Sequence, residues 1–448
     1  MLSLHDALDR AQSLVSAARR AGADAADAVY GCDASAGVSV RLGELEDVER
    51  SESEHVGLRV FVGQRSASVS SSDLAPATLA TLVERALAMA KEAPEDAYAG
   101  LAPEDRLMRK KLPALDIEDN EEPDPAELRE RALAVEEAAR GVTGVTNSEG
   151  GGASFGRAQM ALATSNGFAG AYAGTQHSIW ASVIAGEGAD MQRDYASHNV
   201  RRLADLETPD AVGMRAGTRA VARLKPSRIA SGTMSVIFDP RVSNSLIGHL
   251  LGAITGPAIT RKASFLLDCL GERILPEGLS IVDDPHRQRG LRSRPFDGEG
   301  LPTAKKKLVD EGMLTGWLLD SASARQLGLQ PTGHATRGGS GAPGAGATNV
   351  HLEGGTATPR ELMTDVMRGL YVTELIGHGV NPVTGDYSRG ASGYLIENGS
   401  VTGAVAEITI AGNLRDMLAR IIAADDLSFR YGVNAPTLRI DGMTIAGE

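Results

Sequence analysis

The chain is poor in cysteine, in large rings and in clustered positive charge, and each shortage excludes something. Only two cysteines, Cys32 and Cys269, occur in 448 residues, far apart in sequence. They form neither a disulfide framework nor a metal-type pair, and they fit buried thiols in a reducing cytoplasm. Aromatic residues make up 4%, so the core has to be built from Leu, Val, Ile and Ala. Lys and Arg number 45 against 58 Asp and Glu, a net charge of -13. Nucleic-acid surfaces need clustered cations. The one short cluster, Lys305-Lys306-Lys307, is expected on a solvated helix face. No stretch approaches the roughly 18 apolar residues of a membrane span. The opening MLSLHDALDRAQ reads as an amphipathic helix rather than a secretory leader, because no apolar run follows a basic start. The expectation is a cytoplasmic protein that contacts neither nucleic acid nor membrane.

Glycine is plentiful, at 52 residues, which points to tight turns and close backbone approaches in hairpin-rich sheets. The length exceeds what one core holds. Ser3, with Asp6 three residues on, opens a helix striped by Leu4, Leu8, Ala11, Leu14, Val15 and Ala18. Residues 37–70 read as a β meander of four strands: GVSVRL, ELEDVERSE, HVGLRVFVG and RSASVSS. Leu42-Gly43-Glu44 and Gly63-Gln64 supply turns. Helices are expected from Pro76 to Lys91, from Asp124 to Arg140 and over 208–223. The charged, proline-rich residues 95–125 are expected to wrap the surface. Three strands fall within 150–200, with Asn166-Gly167 as a hairpin signal.

Leu224-Lys225-Pro226-Ser227 marks a boundary. Beyond it come a strand over 233–238, a helix over 241–256, and short strands with glycine turns. Asn398-Gly399 signals a hairpin. Two further helices are expected, over 359–370 behind Thr358 and over 414–423. The order of elements is α+β, not alternating α/β. It divides into domains 1–225 and 226–448, each mixing antiparallel sheet with helices, the second strand- and glycine-rich.

The helix at 241–256 carries Asn244-Ser245-Leu246-Ile247-Gly248-His249. That is the spacing of His-Glu-x-x-x-His with its first two groups replaced. A peptidase zinc needs three protein ligands, an open position for water and a carboxylate to take the water's proton. A five-residue step turns the second ligand by about 140°, so the helix must widen or end nearby, and Gly248 would allow it. Asn244 offers a poor ligand, Ser245 no base, and His249 a single imidazole. Taken alone, the segment reads as a plain buried helix.

Other constellations are weaker. The run 339–344 spells G-x-G-x-x-G but leads into more glycine rather than a helix. Asp297, Glu299, Asp386 and Glu397 lie in glycine-rich turns, where carboxylates are expected to be exposed or to cap backbone groups. His334 and His378 read as loop histidines with unrelated partners, and His286 as part of a surface turn. The glycine-rich stretches 332–347 and 377–393 would let an extended peptide pair with a strand edge. The candidate channel residues are Gly377, His378, Gly379, Asp386, Tyr387, Ser388, Gly390 and Gly393.

Longer segments carry a resemblance. VRLGELEDVERSESEHVGLRVFVG (40–63), FDGEGLPT (296–303), GATNVHLEGG (346–355), ELIGHGVNPVTGDYSRGASGYLIENG (374–399), EITIAGNLRDML (407–418) and PTLRIDGMTIAG (436–447) resemble the TldD/TldE (PmbA) peptidase family, and within it the TldE/PmbA branch. The likeness spans nearly the whole chain. It implies a heteromeric zinc peptidase in which a TldD subunit carries His-Glu-x-x-x-His and a cysteine near its C-terminus, while TldE lacks the site. Asn244, Ser245 and His249 stand where the motif would be, and residues 425–433 hold no cysteine. The resemblance therefore implies a non-catalytic subunit with no metal or catalytic residue of its own. Its zinc would sit in a TldD-like partner, and its substrates would be short or unfolded peptides. A peptidase active alone through an unrecognised site, and a peptide-binding or regulatory protein without peptidase role, are the alternatives.

Overall fold

The computed structural model describes residues 2–339 and 341–448. The first half is built on one long sheet. Helix α1 (Leu4–Arg20) leads into β1 (Ala25–Arg41), β2 (Glu44–Val62) and β3 (Arg65–Ser71). Helices α2 (Pro76–Glu92) and α3 (Pro125–Arg140) follow, then β4 (Val145–Thr164), β5 (Ala169–Ala185), β6 (Gln192–Val200) and α4 (Pro209–Ala222). The strands align as β3-β2-β1-β4-β5-β6, with every neighbouring pair antiparallel. Local chemistry sets the helix ends. Ser3 accepts from the Asp6 amide, Asp124 and Glu127 close a capping box, and Thr208 accepts from the Ala211 amide. The apolar stripes of α1 and α2 pack on one stretch of the sheet, through Leu14, Val15, Leu82 and Val83 against Tyr30, Leu58 and Val60. Those of α3 and α4 pack on another, through Val135 and Val212 against Ile179 and Val183.

The second half holds β7 (Gly232–Phe238), α5 (Pro240–Ala253), α6 (Gly256–Thr260), β8 (Ile281–Asp283), β9 (Lys306–Asp310), β10 (Met313–Leu314) and α7 (Ser321–Leu327). It continues with β11 (Ala335–Thr336), β12 (Gly344–Ala345), β13 (Val350–Leu352), β14 (Arg368–Ile376), β15 (Asp386–Glu397) and β16 (Ser400–Asn413). Then come α8 (Leu414–Ala419), β17 (Ile422–Ala423), β18 (Val433–Asn434) and β19 (Leu438–Ala446). One sheet runs β16-β15-β14-β7-β19-β17, and β16 also pairs with β19, so five strands close into a barrel. A smaller sheet runs β10-β9-β8-β13-β18. Most pairings are antiparallel, but β14 with β7 and β13 with β18 are parallel. One core joins Leu246, Ile247 and Leu250 of α5 to Val236, Phe238, Leu370, Val372, Ile408 and Ile440. The molecule is α+β.

Several expectations need correction. The two segments ELEDVERSE and HVGLRVFVG are one strand, β2. Its residues 44–53 are exposed, so no alternation announced their continuity. Thr358 and Glu361 do form a reciprocal cap, but the expected helix over 359–370 stops after the single turn Glu361–Met363. The chain leaves it to pair Gly369 with Ser235 in the barrel. The helix over 414–423 ends at Ala419, and the opening helix of the second half ends at Ala253 rather than 256, because Thr255 starts a separate turn. Lys306 and Lys307 lie on strand β9, not a helix face, and Lys306 donates to the Thr332 carbonyl. Residues 95–125 are only partly superficial. Ala102, Leu107, Leu115 and Ile117 are buried. Met108 bonds to Gly300, and Arg325 donates to the carbonyls of Tyr98, Gly100 and Leu101. This segment straps the first half to the second.

Candidate functional site

Helix α5 forms because Asp239 accepts from the Arg241 amide, Pro240 fills the first turn, and Val242, Leu246, Ile247, Leu250 and Leu251 make a buried face. It runs as regular α-helix through Gly248 to Ala253 without widening. Gly248 and Gly252 are exposed, with open space where a Cβ would stand. Asn244 and Ser245 lie on the half-buried flank between these faces.

That flank borders a cavity of about 250 Å³. Its walls come from both halves of the chain: Arg193, Asp194 and Tyr195 of β6, Arg223 at the end of α4, Arg241, Asn244 and Ser245 of α5, Thr373, Glu374 and Leu375 of β14, and Arg389 of β15. Asp194 is its hinge pin. The carboxylate receives Arg241 through both terminal nitrogens, at 2.8 and 3.2 Å, and lies 3.5 Å from Arg223. Burial would raise its pKa, but the hydrogen bonds and charge of Arg241, with Arg223 behind, hold it below the usual carboxylate range. Glu374 accepts from Arg223 and, at 2.9 Å, from Ser392. The cavity thus joins four guanidinium groups to two carboxylates, an excess of positive charge.

A bulge shapes the β14 wall. Val372 pairs with Gly393 and Glu374 with Ser392, leaving Thr373 as the extra residue. A regular strand sends alternate side chains to opposite faces. Here Thr373, Glu374 and Leu375 all line the cavity, as a bulge permits. The Thr373 hydroxyl is buried without a hydrogen-bond partner among the described residues.

The degenerate-motif residues do not act as one set. Ser245 Oγ donates to the Val242 carbonyl at 2.7 Å within its own helix. His249 does not border the cavity. Its ring stands edge-on to Tyr387, centroids 6.2 Å apart, and its Nε2 is buried without a partner among the described residues. Burial, reinforced by Arg389, pushes its pKa down. A zinc ion does not fit here. The donors are a poor amide ligand, a hydroxyl already engaged and one imidazole turned elsewhere, beside a wall of cations that repels a divalent ion. Among the described residues no group of three or more His, Cys, Asp or Glu is placed to hold a metal.

The channel candidates of 377–393 are placed beside the cavity, not inside it. Gly377, His378 and Gly379 form an exposed loop after β14, and Asp386 and Ser388 are exposed on β15. Tyr387 is buried. A Cβ on Gly379 would meet the Ser388 carbonyl at 1.9 Å, and one on Gly393 the Tyr371 carbonyl at 2.0 Å. The chain's own strands therefore account for these two glycines. Gly390 sits less tightly, 3.3 Å from Ile376 Cβ.

Two of the four turn carboxylates are not exposed. Asp297 is buried and accepts from the amides of Glu299, Leu301 and Ala335. Glu299 is buried and accepts from Ser321 through its amide and hydroxyl. Burial and then the Asp297 charge push the Glu299 pKa up to about 7. Asp386 and Glu397 are exposed. His334 is buried between Thr332, at 2.8 Å, and Asp283, at 3.1 Å. His286 is half-buried and meets Thr303 at 2.9 Å. Of the 339–344 glycine run, Ser340 lies outside the described residues. The arginine wall is not legible in the sequence because its four members come from four elements, β6, the end of α4, α5 and β15. One clue was present: Arg241 sits in the first turn of α5, where a cation opposes the helix dipole and implies a partner elsewhere.

A helix with Asn, Ser and His at metallopeptidase spacing, packed on a closed barrel beside a cavity between the halves, defines a metalloprotease-like α+β protein. The chain belongs to the PmbA/TldD family. Residues 231–447 match the PmbA/TldA metallopeptidase C-terminal domain, 118–224 its central domain and 27–90 its domain 1. It is 40% identical to metalloprotease PmbA of Escherichia coli, covering 92% of this chain and 90% of that protein. It is 38% identical to a PmbA homologue of Haemophilus influenzae, covering 97% and 94%. A crystal structure from Bacteroides thetaiotaomicron, described as a putative modulator of DNA gyrase, superposes with a TM-score of 0.90 at 26% identity over 98% of each chain. TldE from Thermococcus kodakarensis shares the fold, with a TM-score of 0.86 at 22% identity, covering 98% of this chain and all of that one. No helix among the described residues is long and apolar enough to cross a membrane.

Proposed function

We propose that this chain is the non-catalytic, TldE/PmbA-type subunit of a cytoplasmic heteromeric zinc metallopeptidase that processes or degrades short or unfolded peptides. A TldD-like partner supplies zinc and base; this chain, with units 1–225 and 226–448, supplies interface and channel wall. One observation carries the reading. The positions that would hold the first ligand and the base are Asn244 and Ser245, in a cavity walled by Arg193, Arg223, Arg241 and Arg389. That environment favours anions and disfavours the cation that hydrolysis needs. The metalloprotease names of the relatives from Escherichia coli and Haemophilus influenzae support the peptidase setting.

The test is peptide cleavage by the purified chain, by a partner bearing His-Glu-x-x-x-His, and by both together. The expected result is no cleavage by this chain alone and a clear gain when it joins the partner. Robust cleavage by the single chain, abolished in His249→Ala, would instead establish the second reading, a peptidase active alone, which the relatives' names taken at face value favour.

A further inference from the structure

We infer that the cavity beside α5 is a carboxylate-binding site, and that it takes the C-terminal carboxylate of a peptide. Part of the positive charge around the cavity is unspent. Arg241 and Arg223 are engaged by Asp194 and Glu374. Among the described residues Arg389 has no carboxylate partner, and its one hydrogen bond runs from Nε to the Ile376 carbonyl, at 3.5 Å. Arg193 reaches Glu149 only at 3.5 Å, with its side chain 55% exposed, and such surface pairs are worth little. Two guanidinium groups therefore face the cavity with hydrogen-bonding capacity to spare.

The second observation is independent of charge. Thr373 is 5% exposed, lines the cavity, and has no hydrogen-bond partner for its hydroxyl among the described residues. An unmatched buried hydroxyl costs free energy unless a ligand or water meets it. The bulge that turns Thr373 toward the cavity is the kind of irregularity a sheet keeps to re-aim a side chain. Val242 and Leu375 add an apolar flank.

The chemistry selects a carboxylate over a phosphate. A planar carboxylate accepts two parallel bonds from a guanidinium. Asp194 and Glu374 already place two negative charges in the walls, which tolerates a monoanion and opposes a dianion. The volume of about 250 Å³ suits one or two terminal residues, not a folded surface. A chain end seated there would run out past Ile376 and Gly377, both exposed. That the carrier is a peptide rests on the peptide-handling role above; that the site takes a carboxylate does not.

The experiment is direct binding to the purified full-length chain, without partner or cleavage. Its failure leaves the subunit role standing, and failure of the cleavage test leaves this result standing. The probes are a fluorescent, neutral, unstructured hexapeptide with a free C-terminus, the same peptide amidated, and the amidated peptide with a Glu side chain near its end. Inorganic phosphate serves as competitor. The free acid is expected to bind at least about tenfold more tightly than the amide, the scale of one good charged contact. Arg389→Gln, and separately Arg193→Gln with its exposed side chain, should reduce the free acid toward the amide and leave the amide unchanged. Binding of the Glu-bearing amide as tight as the free acid would support the carboxylate site but overturn the assignment to the chain end. Equal binding of acid and amide would overturn the inference. So would wild-type preference for the acid in both folded variants, or displacement by phosphate at the concentration of the peptide.

Discussion

Two polar clusters, one inside the second half and one between the halves, differ in how completely the chain satisfies them. Around Asp297 and Glu299, three backbone amides and the amide and hydroxyl of Ser321 converge on the two carboxyl groups, and among the described residues no basic side chain donates to either. In the cavity beside α5, guanidinium groups outnumber carboxylates, and the Thr373 hydroxyl has no partner. The first arrangement is closed upon itself and holds glycine-rich turns in place. The second has capacity left over. Buried polarity by itself does not mark a functional site; unmatched polarity that faces a cavity is what a ligand can meet.

Substitutions sharpen that contrast, and the largest effect belongs to Asp194. Asp194→Ala removes the bidentate partner of the buried Arg241 guanidinium, leaves Arg223 to Glu374 alone, and should cost on the order of 3–5 kcal/mol in denaturant unfolding. A loss under about 1 kcal/mol would show that the pair is effectively solvated. Next comes Gly393→Ala, whose Cβ would lie 2.0 Å from the Tyr371 carbonyl. It should destabilise by roughly 2–3 kcal/mol, whereas Gly248→Ala, in open space on an exposed helix flank, should stabilise by about 0.5–1 kcal/mol.

The closed cluster makes a pH prediction. The unfolded Glu299 carboxyl releases its proton near 4.5, and the folded one near 7. Between those values the folded state holds the extra proton, so stability falls as pH rises from about 4.5 to 7 and then levels off. Glu299→Gln should flatten that fall, by an amount on the order of 2–3 kcal/mol, seen as pH-dependent melting. An unchanged pH profile would place the titration elsewhere. The smallest effect is expected at the degenerate motif. Ser245 spends its hydroxyl on its own helix, so Ser245→Ala should shift stability by no more than about 0.5 kcal/mol.

Legibility followed locality. Three helices of the first half were readable nearly to their ends because Ser3, Asp124 with Glu127, and Thr208 cap them from within a turn, and α2 because Pro76 opens it. The hairpins at Leu42-Gly43 and Asn398-Gly399 were readable because those residues adopt positive φ. The barrel was not, since β16 closes on β19 across more than thirty residues and one parallel pairing overrides the capping signal at Thr358. At the site, Asn244, Ser245 and His249 stood out by spacing, and their relative places on one helix followed. That His249 turns to Tyr387, and that Asp194 and Arg223 arrive from the other half, depended on packing that no local pattern encodes.

The most direct test of the account is the zinc content of the purified full-length chain after exposure to excess zinc and removal of loosely held metal. The expected result is no stoichiometric zinc, in the wild type and in His249→Ala alike. One tightly held zinc per chain, lost in His249→Ala, would contradict it.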